Sequence, residues 1–179
     1  MRIIGGKYKG KTFVPPSIFK ARPTTDFAKE ALFNILQNSF NFENLDVLDL
    51  FSGTGSISYE FGSRSCKKII AVESNFNHAK YIESQFAVLG FTQAIVYKSD
   101  VFRFLDTCKQ KFDIIFADPP YELENIEDIY HHIFKNNLLS DTSFLIIEHS
   151  SKTDFSKFPH FLMLKNYGSV NFSFFDPEV

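Results

Sequence analysis

The chain is poor in the residues that mark several protein classes. Its 179 residues include no tryptophan and only two cysteines, Cys66 and Cys108. Two cysteines build no disulfide framework, and no Cys/His group has the spacing of a metal site, so we expect neither disulfides nor a metal. No apolar run approaches the ~18 residues of a membrane-spanning helix, and the apolar start is too short for a secretory signal. These absences predict a cytoplasmic protein with no membrane segment.

Net charge is also low, at −2, but it is unevenly distributed. Residues 1–25 carry six basic side chains and no acidic one, which leaves −8 for the remainder. A basic segment on an acidic protein indicates a polyanionic partner, although a solvated basic end has the same composition. The candidate phosphate contacts are Arg2, Lys7, Lys9, Lys11, Arg22 and Thr24.

From residue 46 onward, short apolar runs alternate with amphipathic ones. Strands are predicted at residues 47–50, 68–72, 94–98, 112–118, 143–148, 161–164 and 170–175, and helices at residues 56–63, 75–89, 101–108 and 126–134. Repeated βα units with apolar strands indicate a parallel sheet with helices on both faces. The last two runs, joined by a tight turn, indicate an antiparallel pair. We therefore predict an α/β fold with a seven-stranded, mostly parallel sheet and one antiparallel edge strand.

Ahead of this sheet we predict a small β-hairpin and an amphipathic helix. The hairpin falls in residues 1–14, and the helix starts near Thr24-Thr25-Asp26, whose side chains can cap it and whose free amides favour an anion. Residues 1–23 would form a basic appendage and residues 24–179 the main domain. Gly5 to Thr12 also match the phosphate-loop pattern GxxxxGK[ST]. That function is excluded because Phe13-Val14-Pro15-Pro16 cannot form the helix that must follow.

The most informative stretch is a buried strand that ends in Asp118-Pro119-Pro120-Tyr121. Four to eight apolar residues bounded by a breaker indicate a buried strand, and two prolines continue neither a sheet nor a helix. The turn therefore holds a carboxylate, backbone carbonyls and a ring at the carboxyl edge of the sheet, where open α/β folds bind ligands. These four residues are the candidate catalytic group.

Three other predicted strands also end in acids. The first contains Asp49 near its end and is followed by Phe51, Ser52, Gly53, Thr54 and Gly55. The second is followed by Glu73 and Ser74, and the third by Asp100 and Val101. Glycines let a backbone approach a ligand, and an acid after the second strand suits ribose hydroxyls. Each acid also has a structural alternative: Asp49 as a partner of loop amides, the other two as surface carboxylates. A dinucleotide oxidoreductase would need a third glycine after Gly55, so a nucleoside without pyrophosphate fits better.

These motifs together resemble those of class I S-adenosylmethionine-dependent methyltransferases, and within them the RsmD family of 16S ribosomal RNA guanine-N2 methyltransferases. The resemblance rests on the following stretches: Arg2-Ile3-Ile4-Gly5-Gly6, Lys9-Gly10-Lys11, Arg22-Pro23-Thr24-Thr25-Asp26, Glu30-Ala31-Leu32-Phe33-Asn34, Asp49 to Gly55, Phe112 to Tyr121, and Tyr167-Gly168. It implies a Rossmann-like fold, S-adenosylmethionine as the methyl donor and no metal. It also implies 16S ribosomal RNA as the partner, of the guanine(966)-N2 type, in small-subunit particles, and a protein that acts as a monomer.

The resemblance also assigns roles to the residues. Asp118 and the carbonyl of Pro119 would hold the amine, with Tyr121 stacked on the base. Phe51, Gly53 and Gly55 would contact the methionine part of the cofactor, Glu73 its ribose, and Asp100 and Val101 its adenine. Two alternatives remain open: an adenine-N6 methyltransferase on DNA or RNA, which shares the Asp-Pro-Pro-Tyr stretch, and a nucleic-acid binding module without turnover. Among the five histidines, His149 alone follows a predicted strand end.

Overall fold

The structure, a computed structural model, describes residues 1–17, 19 and 25–179. In this part of the chain seven strands alternate with five α-helices. The strands are β1 (Asp46–Leu50), β2 (Lys68–Glu73), β3 (Ala94–Lys98), β4 (Phe112–Ala117), β5 (Leu139–His149), β6 (Phe161–Tyr167) and β7 (Val170–Phe175). The helices are α1 (Asp26–Ser39), α2 (Ser56–Ser63), α3 (Phe76–Leu89), α4 (Val101–Thr107) and α5 (Glu127–Lys135), and a 3₁₀ turn precedes β1.

All seven strands belong to one sheet with the order β3-β2-β1-β4-β5-β7-β6. Strands β1 to β5 are mutually parallel, whereas β7 runs antiparallel between β5 and β6. The predicted seven-stranded, mostly parallel sheet is confirmed, with its one antiparallel strand next to the outermost strand β6. The strand order reverses between β1 and β4, so a crevice opens there at the carboxyl ends of the strands.

The largest difference from the predicted boundaries is at the start of β5. That strand was expected from residue 143 but begins at Leu139, which pairs with Phe112 of β4. The polar stretch 140–143 hides the strand because apolar alternation is the main sequence signal. The ladder also shifts register after Phe112. The early part of β5 therefore depends on the neighbouring strand more than on its own residues.

Helices cover both faces of the sheet, as predicted. Helices α4 and α5 pack on one face, where they contribute Phe104, Leu105, Ile129 and Ile133 to a buried apolar cluster. On the opposite face α1 and α2 pack against β1, β2 and β4, and α3 packs beside them. The sequences of strands covered on both faces are nearly continuous apolar runs. Among the described helices, none is long and apolar enough to cross a lipid bilayer.

The first 13 residues form the predicted hairpin, in a short version. Arg2 and Thr12 make one antiparallel bridge, and the amide of Ile3 donates to the carbonyl of Lys11 at 2.9 Å. Ile3 and Phe13 are buried in a cluster with α2 and α3. The hairpin is thus docked on the sheet domain. The predicted division at residue 23 lies outside the described residues and stays a prediction.

A buried ion cluster fastens the hairpin to the domain. The Lys29 Nζ of α1 lies 3.3 Å from Glu60 Oε1 of α2, and the guanidinium of Arg64 pairs with the same carboxylate. Glu60 also accepts from the backbone amide of Ile4, while Lys29 donates to the carbonyl of Arg2 at 2.6 Å. Burial lowers the pKa of Lys29, and the nearby Glu60 opposes that change. One carboxylate therefore holds α1, α2 and the hairpin together.

Replacing this carboxylate is expected to cost much of the stability of the fold. In Glu60→Gln the charges of Lys29 and Arg64 lose their buried partner, and removal of one member of a buried ion pair typically costs about 3–5 kcal/mol. The exposed pair Arg2–Asp26 provides the control, since Arg2→Ala should cost less than about 1 kcal/mol. Urea unfolding followed by circular dichroism measures both. Equal losses in the two variants would contradict the role of Glu60.

Candidate active site

A cavity of about 420 Å³ opens at the carboxyl edge of the sheet, between the ends of β1 and β4. It brings together all four predicted catalytic residues and nine of the ten predicted cofactor residues; Gly55 alone does not line it. The lining residues foreseen from the sequence are Asp49, Phe51, Ser52, Gly53, Thr54, Glu73, Ser74, Asp100, Val101, Asp118, Pro119, Pro120 and Tyr121. The four strand ends therefore converge on one site.

Asp49 at the end of β1 is buried and fastens the start of α2. Its Oδ2 accepts from the Ser58 amide at 3.2 Å and from the Ser58 hydroxyl at 2.5 Å. Burial raises the pKa of Asp49 to about 7, although the two bonds from Ser58 oppose that change. Asp49 thus has a structural role, although its partner is in α2 and not in the loop as expected, and the same residue faces the cavity.

The loop after β1 has a backbone that favours glycine. Phe51, Gly53 and Gly55 have positive φ values of 57°, 55° and 82°. A Cβ on Gly55 would also lie 2.7 Å from the ring of Tyr59, too close for any side chain there. A positive φ is rare for a residue with a large side chain such as Phe51. The glycines of this loop have no side chain, so its backbone can come close to a ligand in the cavity.

Glu73 at the end of β2 organises the other side of this loop. One carboxylate oxygen accepts from the Gly53 amide at 2.8 Å and the other from the Asn75 amide at 2.7 Å. Each oxygen of a carboxylate accepts more than one bond, so Glu73 retains capacity for hydroxyl donors in the cavity. Its position links the glycine loop to the start of α3.

Asp100 follows β3, is exposed, and has a capping role that was not predicted from the sequence. It is the N-cap of α4 and accepts from the Arg103 amide at 3.0 Å. It also lines the cavity, next to the buried Val101. A carboxylate can accept a hydrogen bond from the edge of a nucleobase, and an apolar side chain can pack against its face.

The Asp-Pro-Pro-Tyr turn begins directly after β4, as predicted. The Asp118 amide reaches the Leu50 carbonyl at 3.4 Å, which is the last link of this edge of the sheet. Pro119 is buried, whereas Tyr121 is 70% exposed at the rim of the cavity that it lines. Burial raises the pKa of Asp118 well above its usual value, and the nearby Glu148 and Asp49 add to this effect.

Several lining residues were not predicted from the sequence. They are Thr25, Ser56, Ile57, Asn75, His78, Phe116, Glu122, Glu148, Ser169 and Val170. Glu148 follows the same rule as the predicted acids, since it stands at the carboxyl end of β5, and that signal could have identified it. The others lie at the starts of α1, α2 and α3, inside β4, just after the Asp-Pro-Pro-Tyr turn and at the start of β7, positions that the strand-end rule does not cover.

His149 has a structural role beside the cavity. Its Nδ1 lies 2.8 Å from the Ser150 carbonyl and its Nε2 2.8 Å from the Ser173 hydroxyl. Since a carbonyl only accepts, Nδ1 carries the proton and Nε2 accepts from Ser173. Burial lowers the pKa of His149, which favours this neutral form. Within the described residues no group of three or more His, Cys, Asp or Glu is placed to hold a metal.

The basic residues of the hairpin lie outside the cavity, on an exposed surface. Lys7 and Lys11 stand over the ring of Tyr8, with Nζ 5.2 and 5.5 Å from its centroid, and Arg2 pairs with Asp26. Lys9 is exposed in the turn. Predicted contacts Arg22 and Thr24 lie outside the described residues. The next residue, Thr25, caps α1 and lines the cavity, so the hairpin surface and the cavity meet at the start of α1.

The chain matches a known protein family over nearly its whole length. The family described as Conserved hypothetical protein 95 matches residues 1–176. The chain belongs to this family. The Bacillus subtilis protein YlbH is 31% identical over 158 residues, covering 86% of this chain and 85% of the relative. Ribosomal RNA small subunit methyltransferase D of Haemophilus influenzae is 30% identical over 152 residues, covering 83% and 78%. The resemblance to the RsmD family is confirmed.

Solved structures agree with this assignment. The Escherichia coli protein yhhF has a TM-score of 0.86 and 25% identity, covering 98% of this chain and 96% of that one. Coclaurine N-methyltransferase, solved with SAH, has a TM-score of 0.56 at 21% identity, covering 71% of this chain and 36% of that one, which shows likeness of fold alone. By family and by fold, the chain is a methyltransferase.

The raised pKa of Asp49 makes a testable prediction about stability. Because its pKa is about 7 in the folded protein and about 3.9 in an unfolded chain, the folded state binds more protons between about pH 4 and 7. Stability therefore falls as Asp49 ionises over that range. The amide oxygen in Asp49→Asn still accepts from Ser58 without a charge. We expect the free energy of unfolding of this variant, relative to wild type, to rise by about 2–3 kcal/mol from pH 5 to pH 8.

Chemical unfolding at several pH values measures this difference. Asp128→Asn, on the exposed side of α5, is the matched control and should show no such trend. A constant difference between Asp49→Asn and wild type across this range would show that Asp49 is ionised at little cost in the folded protein.

Proposed function

We propose that the protein transfers a methyl group from S-adenosylmethionine to the exocyclic N2 amine of a guanine in 16S ribosomal RNA. One observation carries the proposal: the Asp118-Pro119 turn and the glycine loop with Glu73 face the same cavity, in a chain of this methyltransferase family. The family likeness supports ribosomal RNA as the substrate. Small-subunit particles in the cytoplasm are the proposed setting, and the protein acts as a monomer.

The cavity residues fit S-adenosylmethionine. About 420 Å³ is within the usual size of small-molecule sites. Glu73 and Asp100 provide carboxylate acceptors for ribose hydroxyls and an adenine amine, Val101 an apolar surface, and the loop at Gly53 a close backbone approach. When bound, the cofactor supplies a methyl group already activated on a sulfonium. The protein therefore needs no further activation of the donor.

Activation of the amine falls to the turn after β4. The lone pair of a guanine amine is delocalised into the ring, which makes it a poor nucleophile. If the Asp118 carboxylate and the Pro119 carbonyl accept its two N–H groups, the lone pair points out of the base plane toward the methyl group. Transfer would form the N–C bond as the S–C bond of the donor breaks and leave a thioether, and Asp118 or water would take one amine proton.

Positioning contributes more than proton transfer in this scheme. Holding two reactants in line can supply ~7–11 kcal/mol of barrier reduction, whereas a general base contributes about 10²–10⁴-fold. Asp118 starts with a raised pKa, and the one N–H that the amine donates to it favours its ionised form. Once the methyl is attached, the cationic amine is a strong acid, so loss of its proton is easy.

RNA binding is assigned to the hairpin and to the rim of the cavity. Lysines on the hairpin contact phosphates, which gives affinity without sequence information. The target base must leave its stack to enter the cavity, at a cost of a few kcal/mol. The exposed ring of Tyr121 is placed to stack on that base.

The proposal is tested by incubating the protein with labelled S-adenosylmethionine and 16S RNA, free and in assembled small subunits. N2-methylguanosine is the expected product. N6-methyladenosine would favour the adenine alternative, and cofactor binding without transfer to either substrate would favour a binding module.

Removing the carboxylate of Asp118 should slow transfer strongly. We expect Asp118→Ala to lower kcat/KM by about 10²–10³-fold, as for loss of one preorganised hydrogen-bonding group. Asp118→Asn should recover part of the rate, because its amide oxygen still accepts one N–H. Affinity for S-adenosylhomocysteine, measured by calorimetry, should change little in both. Asp128→Ala is the control, and a rate for Asp118→Ala near that of wild type would refute the amine-holding role.

Changing the hairpin lysines should weaken RNA binding and its dependence on salt. Each lost phosphate contact lowers the slope of log K against log salt by about 0.7 for single-stranded RNA. We expect a drop of about 1.4 for Lys9→Ala with Lys11→Ala, read from binding titrations between low and moderate salt. Lys135→Ala with Lys157→Ala, exposed elsewhere, provides the control. An unchanged slope in the hairpin variant would remove these lysines from the interface.

A further inference from the structure

Glu148 occupies a position that the proposed chemistry leaves unused. It stands at the end of β5, opposite Phe172 of β7, and is 8% exposed. Despite this burial, it lines the 420 Å³ cavity and also the smaller adjoining cavity of about 60 Å³. A carboxylate accepts several hydrogen bonds at once, so in the wall of the active site it can also accept one from a bound base.

The register of the sheet places Glu148 beside Asp118. Ala117 of β4 pairs with Ile147 of β5, so the next residues, Asp118 and Glu148, are neighbours across strands about 4.8 Å apart. Side chains alternate between faces along a strand. Phe116 and Ile146 both pack on the α1 face, and two residues further on Asp118 and Glu148 return to that face. Both acids therefore enter the cavity from the same side.

Two neighbouring acceptors match the edge of a guanine that carries its amine. Guanine has an N1–H donor next to the N2 amine, so this edge presents donors side by side. Adenine has a bare N1 acceptor next to its N6 amine, and a carboxylate facing that nitrogen would be repelled. With Asp118 and Pro119 holding the amine, an acceptor one strand away faces the position of N1.

We propose that Glu148 selects guanine over adenine by accepting the N1–H of the target base while Asp118 holds its amine. This assignment rests on the proposed methyl transfer and makes Glu148 a specificity-determining residue of that site. It also explains how a turn shared by adenine and guanine enzymes would be restricted to guanine here: the second acceptor comes from β5, not from the turn.

The test changes both partners of the contact, the base in the RNA and the side chain at position 148. Once wild-type protein has methylated 16S RNA and the target guanosine is mapped, that nucleotide is replaced with 2,6-diaminopurine by splinted ligation. This base keeps the N2 amine but has a lone pair at N1 in place of the N–H, and an amine at C6 in place of the carbonyl oxygen. Methyl transfer to both RNAs is then measured for wild type, Glu148→Gln and the matched control Glu124→Gln, which is exposed in the loop before α5.

Wild type and Glu124→Gln should prefer guanosine by about 10–100-fold in kcat/KM, the range for loss of a well-formed base contact. A glutamine can present either its oxygen or its NH₂ group, so in Glu148→Gln the preference should fall to within about threefold. Glu148→Asp, which retains a carboxylate, should keep a preference at a lower rate. Affinity for S-adenosylhomocysteine reports whether each variant retains its fold.

Other outcomes separate the two claims. Equal rates of wild type on both RNAs, or an undiminished guanosine preference in Glu148→Gln, would overturn the role of Glu148 and leave methyl transfer standing. If Glu148→Gln does not fold, the wild-type comparison of the two RNAs decides. Failure of wild type to methylate any guanine would overturn the proposed function, and the selection role with it.

Discussion

The architecture depends on a central strand that is forced to end. β4 lies in the middle of the sheet, next to β1, and its ladder stops at Asp118 because neither Pro119 nor Pro120 has an amide hydrogen to donate. The strand order reverses between β1 and β4. The chain segments that follow these two strands therefore turn to opposite faces of the sheet and leave a crevice between them. A rigid turn thus faces a cavity that the topology creates. The other strand ends supply its remaining walls.

A second constraint links this cavity to the hairpin. Lys29 donates to the Arg2 carbonyl and, at 3.1 Å, to the hydroxyl of Ser56, which lines the cavity. The carboxylate of Glu60 completes this network, since it pairs with Lys29 and Arg64 and accepts from the hairpin amide of Ile4. The surface assigned to RNA and the loop assigned to the cofactor therefore share one buried network. If RNA binds to the hairpin, the position of its target base relative to the cavity would therefore be fixed by this network.

Much of this arrangement is predictable from the sequence because strand ends are marked by strong local signals. The breakers after β4 and the glycines after β1 identify their positions without knowledge of the fold, and parallel topology brings such positions together. Contacts that depend on distant residues are not visible in this way. The pairing of Glu60 with Lys29 joins two helices and has no local signal, unlike its i,i+4 pairing with Arg64. The start of β5 likewise depends on pairing with Phe112. Glu148 carried the strand-end signal, whereas the two hydrogen bonds that hold His149 beside it, to Ser150 and Ser173, have no signal in the sequence.

The central claim is that the turn after β4 holds a guanine amine in line with the methyl donor. A structure of the protein with S-adenosylhomocysteine and its small-subunit substrate measures this directly. The account predicts a guanine turned out of its stack, with N2 about 3 Å from both the Asp118 carboxylate and the Pro119 carbonyl and facing the sulfur. A base held elsewhere in the cavity, or an adenine amine in that position, would contradict it.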